Sequence, residues 1–113
     1  MKRVMWFSRH EMSNEQRIDL ERIFGQVEVN QVNKTVQTAF ELKEEIEAAD
    51  VVAIVAPINM QQQFLKLAGT RPVITATSER ILVKQEDGSE DKVVFQFKNW
   101  IRLVKIEVVT EVL

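Results

Sequence analysis

The run from Val51 to Ala56 is entirely apolar, rich in valine, and followed directly by a proline. An apolar run without alternation is typical of a strand buried on both faces of a parallel sheet. Pro57 ends this strand because proline cannot donate a ladder hydrogen bond. Arg3 to Phe7 has the same character. Two such strands predict a sheet whose crossover connections cover both of its faces.

Three segments with a helical pattern lie between and after these strands. Ser13 with Gln16, and Thr38 with Glu41, have the spacing of capping boxes, and Asn59 is expected to cap a third helix. The apolar residues expected on the inner faces of the three helices are Leu20, Ile23 and Phe24; Phe40, Leu42, Ile46 and Ala49; and Met60, Phe64, Leu67 and Ala68.

The chain from residue 1 to 113 is expected to form a single α/β domain with a Rossmann-like three-layer sandwich. Its parallel sheet carries helices on both faces, and an antiparallel hairpin turning at Asp87-Gly88 and a further strand complete the C-terminus. The remaining expected strands are Val27 to Val32, Pro72 to Thr77, Ile81 to Gln85, Val93 to Phe97, and a last strand from Ile101 to Leu113.

Composition excludes several classes of protein. The 15 basic and 17 acidic residues are spread along the chain, so a duplex nucleic acid is not an expected partner. Cysteine is absent, which removes disulfides, thiolate nucleophiles and cysteine-based metal sites. His10 beside Glu11 is not a metal-ligand set, so we expect no metal. The first apolar run stops at Ser8, too short for a signal peptide, and no later run spans a bilayer, so a cytoplasmic protein without membrane contact is expected.

Ligands of open parallel sheets bind beyond the carboxyl ends of the strands, where the strand order reverses. This rule selects the loop after the first strand, which holds Ser8, Arg9 and His10. Arg9 can hold a phosphate bidentately, and His10 is a candidate general base, with Arg9 stabilising developing charge. A solvated surface histidine is the alternative interpretation of His10. No glycine-rich dinucleotide or P-loop pattern is present, so no ordinary nucleotide cofactor is expected.

The same rule selects the loops after the third and fourth strands. Asn59 either reads the edge of a base or only caps a helix. Thr77, Ser78 and Arg80 offer hydroxyls and a cation for ligand binding, or are ordinary strand and surface residues. Trp100 either closes the core under the hairpin, or stacks with Arg102 or contacts a partner.

Two segments carry a family resemblance. The opening Phe7-Ser8-Arg9-His10-Glu11-Met12-Ser13-Asn14-Glu15-Gln16, and Ala76-Thr77-Ser78-Glu79-Arg80 with the hairpin and Phe95 to Arg102 after it, resemble small CRISPR-associated proteins of the CARF and ring-nuclease group. The opening is also similar to that of small uncharacterised proteins of phages and mobile elements. The first resemblance implies a homodimer that binds cyclic oligoadenylate across its two-fold axis and in some members cleaves it without a metal. Ser8, Arg9, His10, Thr77, Ser78 and Arg80 would be the matching positions.

The expected function is therefore nucleotide binding, with cyclic oligoadenylate as the candidate ligand, in a defence-system or mobile-element protein. Whether the chain is an enzyme stays open. The alternative is a non-enzymatic accessory protein that dimerises or binds a protein partner. A homodimer is expected because the segment from Ile101 to Leu113 leaves apolar residues without an obvious partner.

Overall fold

The computed structural model describes all 113 residues and contains one five-stranded mixed sheet with strand order β2-β1-β3-β4-β5. The strands are β1 (Lys2–Phe7), β2 (Val27–Val32), β3 (Val51–Ile54), β4 (Val73–Val83) and β5 (Lys92–Leu103). The helices are α1 (Asn14–Phe24), α2 (Lys43–Glu47) and α3 (Ile58–Ala68), with a 3-10 helix (Ala39–Leu42) before α2. The first four strands are parallel and β5 is antiparallel to β4. The α/β class and the C-terminal antiparallel pair are confirmed.

Residues of β1 alternate between two clusters of buried apolar side chains. Trp6 packs in a cluster with Leu20 of α1 and Trp100 of β5. Met5 belongs to the other cluster, which contains residues of the 3-10 helix, α2 and α3, among them Phe64. Because successive side chains of a strand point to opposite faces, β1 is buried on both sides, as its apolar run predicts.

The predicted capping box at the start of α1 is confirmed. The Ser13 hydroxyl accepts from the Gln16 backbone N–H at 3.1 Å, and the Gln16 side-chain oxygen accepts from the Ser13 N–H at 2.9 Å. Gly25, with φ of 79°, ends the helix. Leu20 is fully buried, whereas Ile23 is 43% exposed, so the inner face is narrower than the sequence pattern predicts.

The second helical segment is shorter than expected. Its Glu41 carboxylate accepts from the Thr38 backbone N–H at 3.0 Å, and a 3-10 helix begins there. Residues three apart share a side of a 3-10 helix, so Ala39 and Leu42 both face the core. Phe40 is consequently turned outward and is 55% exposed, and its assignment to the inner face is wrong.

The cap of α3 also differs from the prediction. The backbone of Pro57 is extended, and its carbonyl accepts from the N–H groups of Met60 and Gln61. Pro57 is therefore the N-cap, and Asn59 lies exposed in the first turn rather than capping the helix. The predicted inner face is confirmed by Phe64, which is fully buried.

The C-terminal strands are longer and fewer than expected. No loop follows Thr77, because β4 continues to Val83, and β5 likewise runs without a break. Neither glycine nor proline interrupts β4 or β5. A bulge occurs at Thr77/Ser78, where the extra residue Lys98 of β5 has no partner on β4, and the pairing continues on both sides of it. Only Val73 and Ile74 of β4 pair with β3. The rest of the hairpin, 75–83 with 92–101, projects past the sheet, and we call it the ribbon.

No strand follows Leu103. Residues 104–113 have no regular structure and form what we call the tail. The last predicted strand is therefore wrong beyond Leu103, because the tail pairs with no neighbouring strand. None of the helices is both long and apolar enough to cross a bilayer.

Candidate functional site

The strand order reverses between β1 and β3. The chain passes from β1 through α1 to β2 on one side, then crosses back to β3 on the other side. The loops after all three strands therefore meet at one edge of the sheet, where open α/β sheets bind their ligands.

A cavity of about 330 Å³ lies at this edge, within the size range of small-ligand sites. We call it the β1 cavity. Its lining residues are Phe7, Ser8, Arg9, His10, Val32, Lys34, Thr35, Val36, Val55, Pro57 and Met60. The three residues that the sequence places after the first strand are thus brought together in one wall, and apolar side chains supply much of the remainder.

Hydrogen bonds from the sheet hold the Ser8–His10 loop in place. The Ser8 hydroxyl is buried and accepts from the His10 backbone N–H at 3.1 Å. The Trp6 indole N–H donates to the His10 carbonyl at 2.8 Å. The Gln31 amide donates to the carbonyls of Ser8 and His10 at 2.9 and 3.1 Å. Ser8 therefore shapes the loop, and Arg9 and His10 are presented by a backbone fixed from two strands.

The β1 cavity has a cationic rim. The exposed Arg9 guanidinium donates to the Thr35 hydroxyl at 3.3 Å. The Lys34 ammonium lies 2.9 Å from the Glu45 carboxylate, and its hydrogen bond lowers the pKa of Glu45. The His10 side chain is exposed at the same rim. Arg9 is the cation least neutralised by a neighbouring carboxylate.

Lys34 and Thr35 also line the site, although the sequence does not predict them there. They lie in the segment after β2, which carries no recognisable motif. Ligands of open parallel sheets bind beyond the carboxyl ends of the strands, and the carboxyl end of β2 lies at the same edge of the sheet as that of β1. The loop after β2 is therefore also a place where site residues are expected.

The other predicted site residues are not brought to the β1 cavity. Thr77 and Ser78 lie within β4, where the Thr77 hydroxyl donates to the Asn99 carbonyl at 3.1 Å. Arg80 is exposed on the ribbon, and Asn59 is exposed on α3. The loop in which the fourth-strand residues were expected does not exist.

Thr77 and Ser78 instead line a second, more open cavity of about 690 Å³ between α1 and the ribbon. We call it the hairpin cleft. Its lining residues are Ser13, Glu15, Gln16, Val55, Ala76, Thr77, Ser78, Ile81, Val94, Phe95, Gln96 and Phe97. Val55, directly after β3, lines both cavities, so the two adjoin.

The β1 cavity has the chemistry to bind an anion that carries an apolar or planar body. Arg9 supplies charge-assisted hydrogen-bond donors, and the apolar residues that line the cavity supply apolar contact. No group of three or more histidine and acidic side chains converges in the chain. Comparison with protein-family models, with curated proteins and with solved structures finds no match to this chain.

Proposed function

We propose that the chain is a cytoplasmic nucleotide-binding domain of Rossmann-like, three-layer architecture, and that the β1 cavity takes a phosphate of its ligand. The observation that carries the proposal is the meeting of Arg9, His10 and Lys34 around one cavity at the point of strand reversal. Cyclic oligoadenylate is the candidate ligand, on the resemblance of the Ser8–His10 segment to defence-system proteins.

Arg9 is expected to dominate the interaction with phosphate. Its guanidinium makes one long hydrogen bond, to a neutral hydroxyl, so most of its five donors are available. Lys34 is already engaged by Glu45, and a phosphate must compete with that carboxylate. A charge-assisted hydrogen bond contributes about 1.5–3 kcal/mol, or about ten- to a hundredfold in affinity.

The test is calorimetry with cyclic tri-, tetra- and hexa-adenylate on wild type, Arg9→Ala, Arg80→Ala and Arg102→Ala. Arg102→Ala is the matched control, because it removes the same charge from an exposed residue that lines neither cavity. We expect Arg9→Ala to weaken binding by about ten- to a hundredfold and Arg102→Ala to leave it within about twofold. Absence of heat with all three ligands refutes the proposal. A loss in Arg80→Ala without a loss in Arg9→Ala places the anion on the ribbon instead.

The same ligands decide whether the protein is an enzyme. Attack of a ribose 2′-hydroxyl on its own 3′-phosphate forms a 2′,3′-cyclic phosphate and breaks the bond to the 5′-oxygen of the next ribose, which takes a proton from water. The step needs a base for the hydroxyl proton and stabilisation of the phosphorane charge, roles that His10 and Arg9 would fill. In that case His10→Ala lowers the cleavage rate by about a hundredfold while affinity is retained.

The second candidate is a non-enzymatic accessory protein that dimerises or binds a protein partner. It is supported by the apolar side chains that the ribbon and tail leave exposed, such as Leu82 at 65% and Val108 at 80%. A protein of this kind would self-associate or bind a protein partner and give no heat with nucleotides.

A further inference from the structure

We infer that the hairpin cleft is the base-binding half of the nucleotide site, with the nucleobase stacked on Phe95 while the phosphate lies at Arg9. The inference rests on the proposed function and adds to it a subsite, an orientation and a minimal ligand, one nucleotide.

The two cavities adjoin at the edge of the sheet. Val55 lines both, and it is 56% exposed. Both Arg9 and Phe95 lie beyond the carboxyl ends of the parallel strands. Their strands, β1 and β5, are three interstrand spacings apart, about 14 Å, a span that a nucleotide bridges together with the extended Arg9 side chain.

The charges of the two cavities differ and set the direction of the ligand. Arg9, His10 and Lys34 line the β1 cavity, and no carboxylate does. The hairpin cleft is lined by Glu15 and by no lysine or arginine. A phosphate is therefore attracted to the first cavity and repelled from the second, which leaves the uncharged base for the cleft.

The cleft offers an aromatic surface to that base. Phe97 is half-buried and packs against Trp100, with ring centroids 5.8 Å apart, so this part of the wall is held by the core. Phe95, two residues along β5, is 75% exposed. Base–aromatic stacking accepts any nucleobase, so Phe95 provides a surface for the base.

The experiment compares adenosine 5′-monophosphate with ribose 5-phosphate by NMR titration of the full chain. Wild type is expected to bind the nucleotide at least about tenfold more tightly, since only the nucleotide carries a base to stack. Phe95→Ala should remove that difference and leave ribose 5-phosphate affinity unchanged, and Phe95→Trp should restore it. Leu82→Ala, which truncates another exposed apolar residue of the ribbon, outside the lining of the cleft, should change neither affinity.

The failures of this inference and of the proposed function can be told apart. Equal affinity for the two ligands, lost together in Arg9→Ala, keeps the phosphate site and overturns the base subsite. Binding of neither ligand overturns both. If Phe95→Ala changes the sedimentation coefficient of the ligand-free protein and not its nucleotide affinity, Phe95 belongs to a protein interface and the inference is wrong.

Discussion

Two tryptophans meet in the core yet support different parts of the molecule. Trp6 and Trp100 pack edge to face, with centroids 5.7 Å apart. The Trp6 indole N–H donates to the His10 carbonyl, and the Trp100 indole N–H donates to the Gln16 carbonyl at 3.0 Å. Trp100 is 8% exposed, so its expected role in closing the core under the hairpin is confirmed. Trp6 links this core directly to the wall of the β1 cavity.

We expect Trp6→Phe and Trp100→Phe each to lower the free energy of unfolding by about 1–2 kcal/mol, since each removes the donor of a part-buried hydrogen bond. Only Trp6→Phe should also weaken binding of cyclic oligoadenylate, because only Trp6 holds the Ser8–His10 loop. Urea denaturation and calorimetry measure the two effects. An equal loss of ligand affinity in both variants would contradict a specific role for Trp6.

At the candidate site, residues that follow a strongly patterned strand are predictable from the sequence, and residues that follow a weakly patterned strand are not. Ser8, Arg9 and His10 follow an unmistakable buried strand. Lys34 lies near the site because it follows β2, which pairs with β1. The linear sequence does not show that these two strands are neighbours. The predicted position of Arg80, in a loop at the carboxyl edge of the sheet, is wrong because it requires the fourth strand to end at Thr77, whereas β4 continues to Val83.

At the level of elements, the starts of β1 and β3 are joined by a side chain as well as by the backbone. The Asp50 carboxylate accepts from the Arg3 backbone N–H at 2.8 Å, and the Asp50 N–H donates to the Arg3 carbonyl at 2.8 Å. The Arg3 guanidinium lies 3.7 Å away. The backbone hydrogen bond, followed by the charges of Arg3 and Lys2, lowers the pKa of Asp50 in the folded protein.

This lowered pKa predicts a pH-dependent contribution to stability. The folded protein holds the Asp50 proton more weakly than the unfolded chain, so the stabilisation is fully present above the unfolded pKa of about 3.9. It is lost as the pH falls through the lower, folded pKa. We therefore expect Asp50→Asn to be less stable than wild type at pH 7, with the difference shrinking below about pH 4. Urea denaturation at pH 7, 4 and 3 tests this. A difference that does not change with pH would contradict it.

Helix α1, which is bounded by its own capping chemistry, is predictable from the sequence, whereas elements bounded only by tertiary contacts are not. The Ser13–Gln16 box and Gly25 delimit α1 in the sequence itself. The continuity of β4 through Ser78 depends on pairing with β5, residue against residue around a bulge. Phe40 faces outward because the chain there forms a 3-10 turn, a choice that the apolar pattern alone does not encode.

The whole molecule is less compact than its length allows. Its radius of gyration is 16.8 Å, against about 13 Å for a compact domain of this size. The ribbon and the tail account for the excess, and both carry exposed apolar side chains. The most exposed of them are Leu82, Phe95, Val104, Val108, Val109, Val112 and Leu113. Apolar surface of this extent is typical of a protein–protein contact.

We expect the full chain to sediment as a homodimer at tens of micromolar, because the association of two copies would bury apolar side chains of the tail that are otherwise exposed to water. Deletion of residues 104–113 should shift it toward monomer, and near-ultraviolet circular dichroism of the tryptophans serves as the control for folding. Sedimentation of the full chain as monomer alone would refute the expected dimer.

The pairing of β4 with β5 also bears on the order in which the chain folds. Closing the hairpin joins Val83 to Lys92, nine positions apart, whereas joining Arg3 to Asp50 closes a separation of 47. Loop-closure entropy makes the second event costlier by about 1.5 kcal/mol, and contacts between sequence neighbours form faster. On refolding from denaturant we therefore expect the hairpin to form before the parallel sheet, so that Phe95 and Leu82 are exposed to solvent while the core is still open. In a refolding chain these side chains favour aggregation, and a higher protein concentration is expected to lower the yield of native protein.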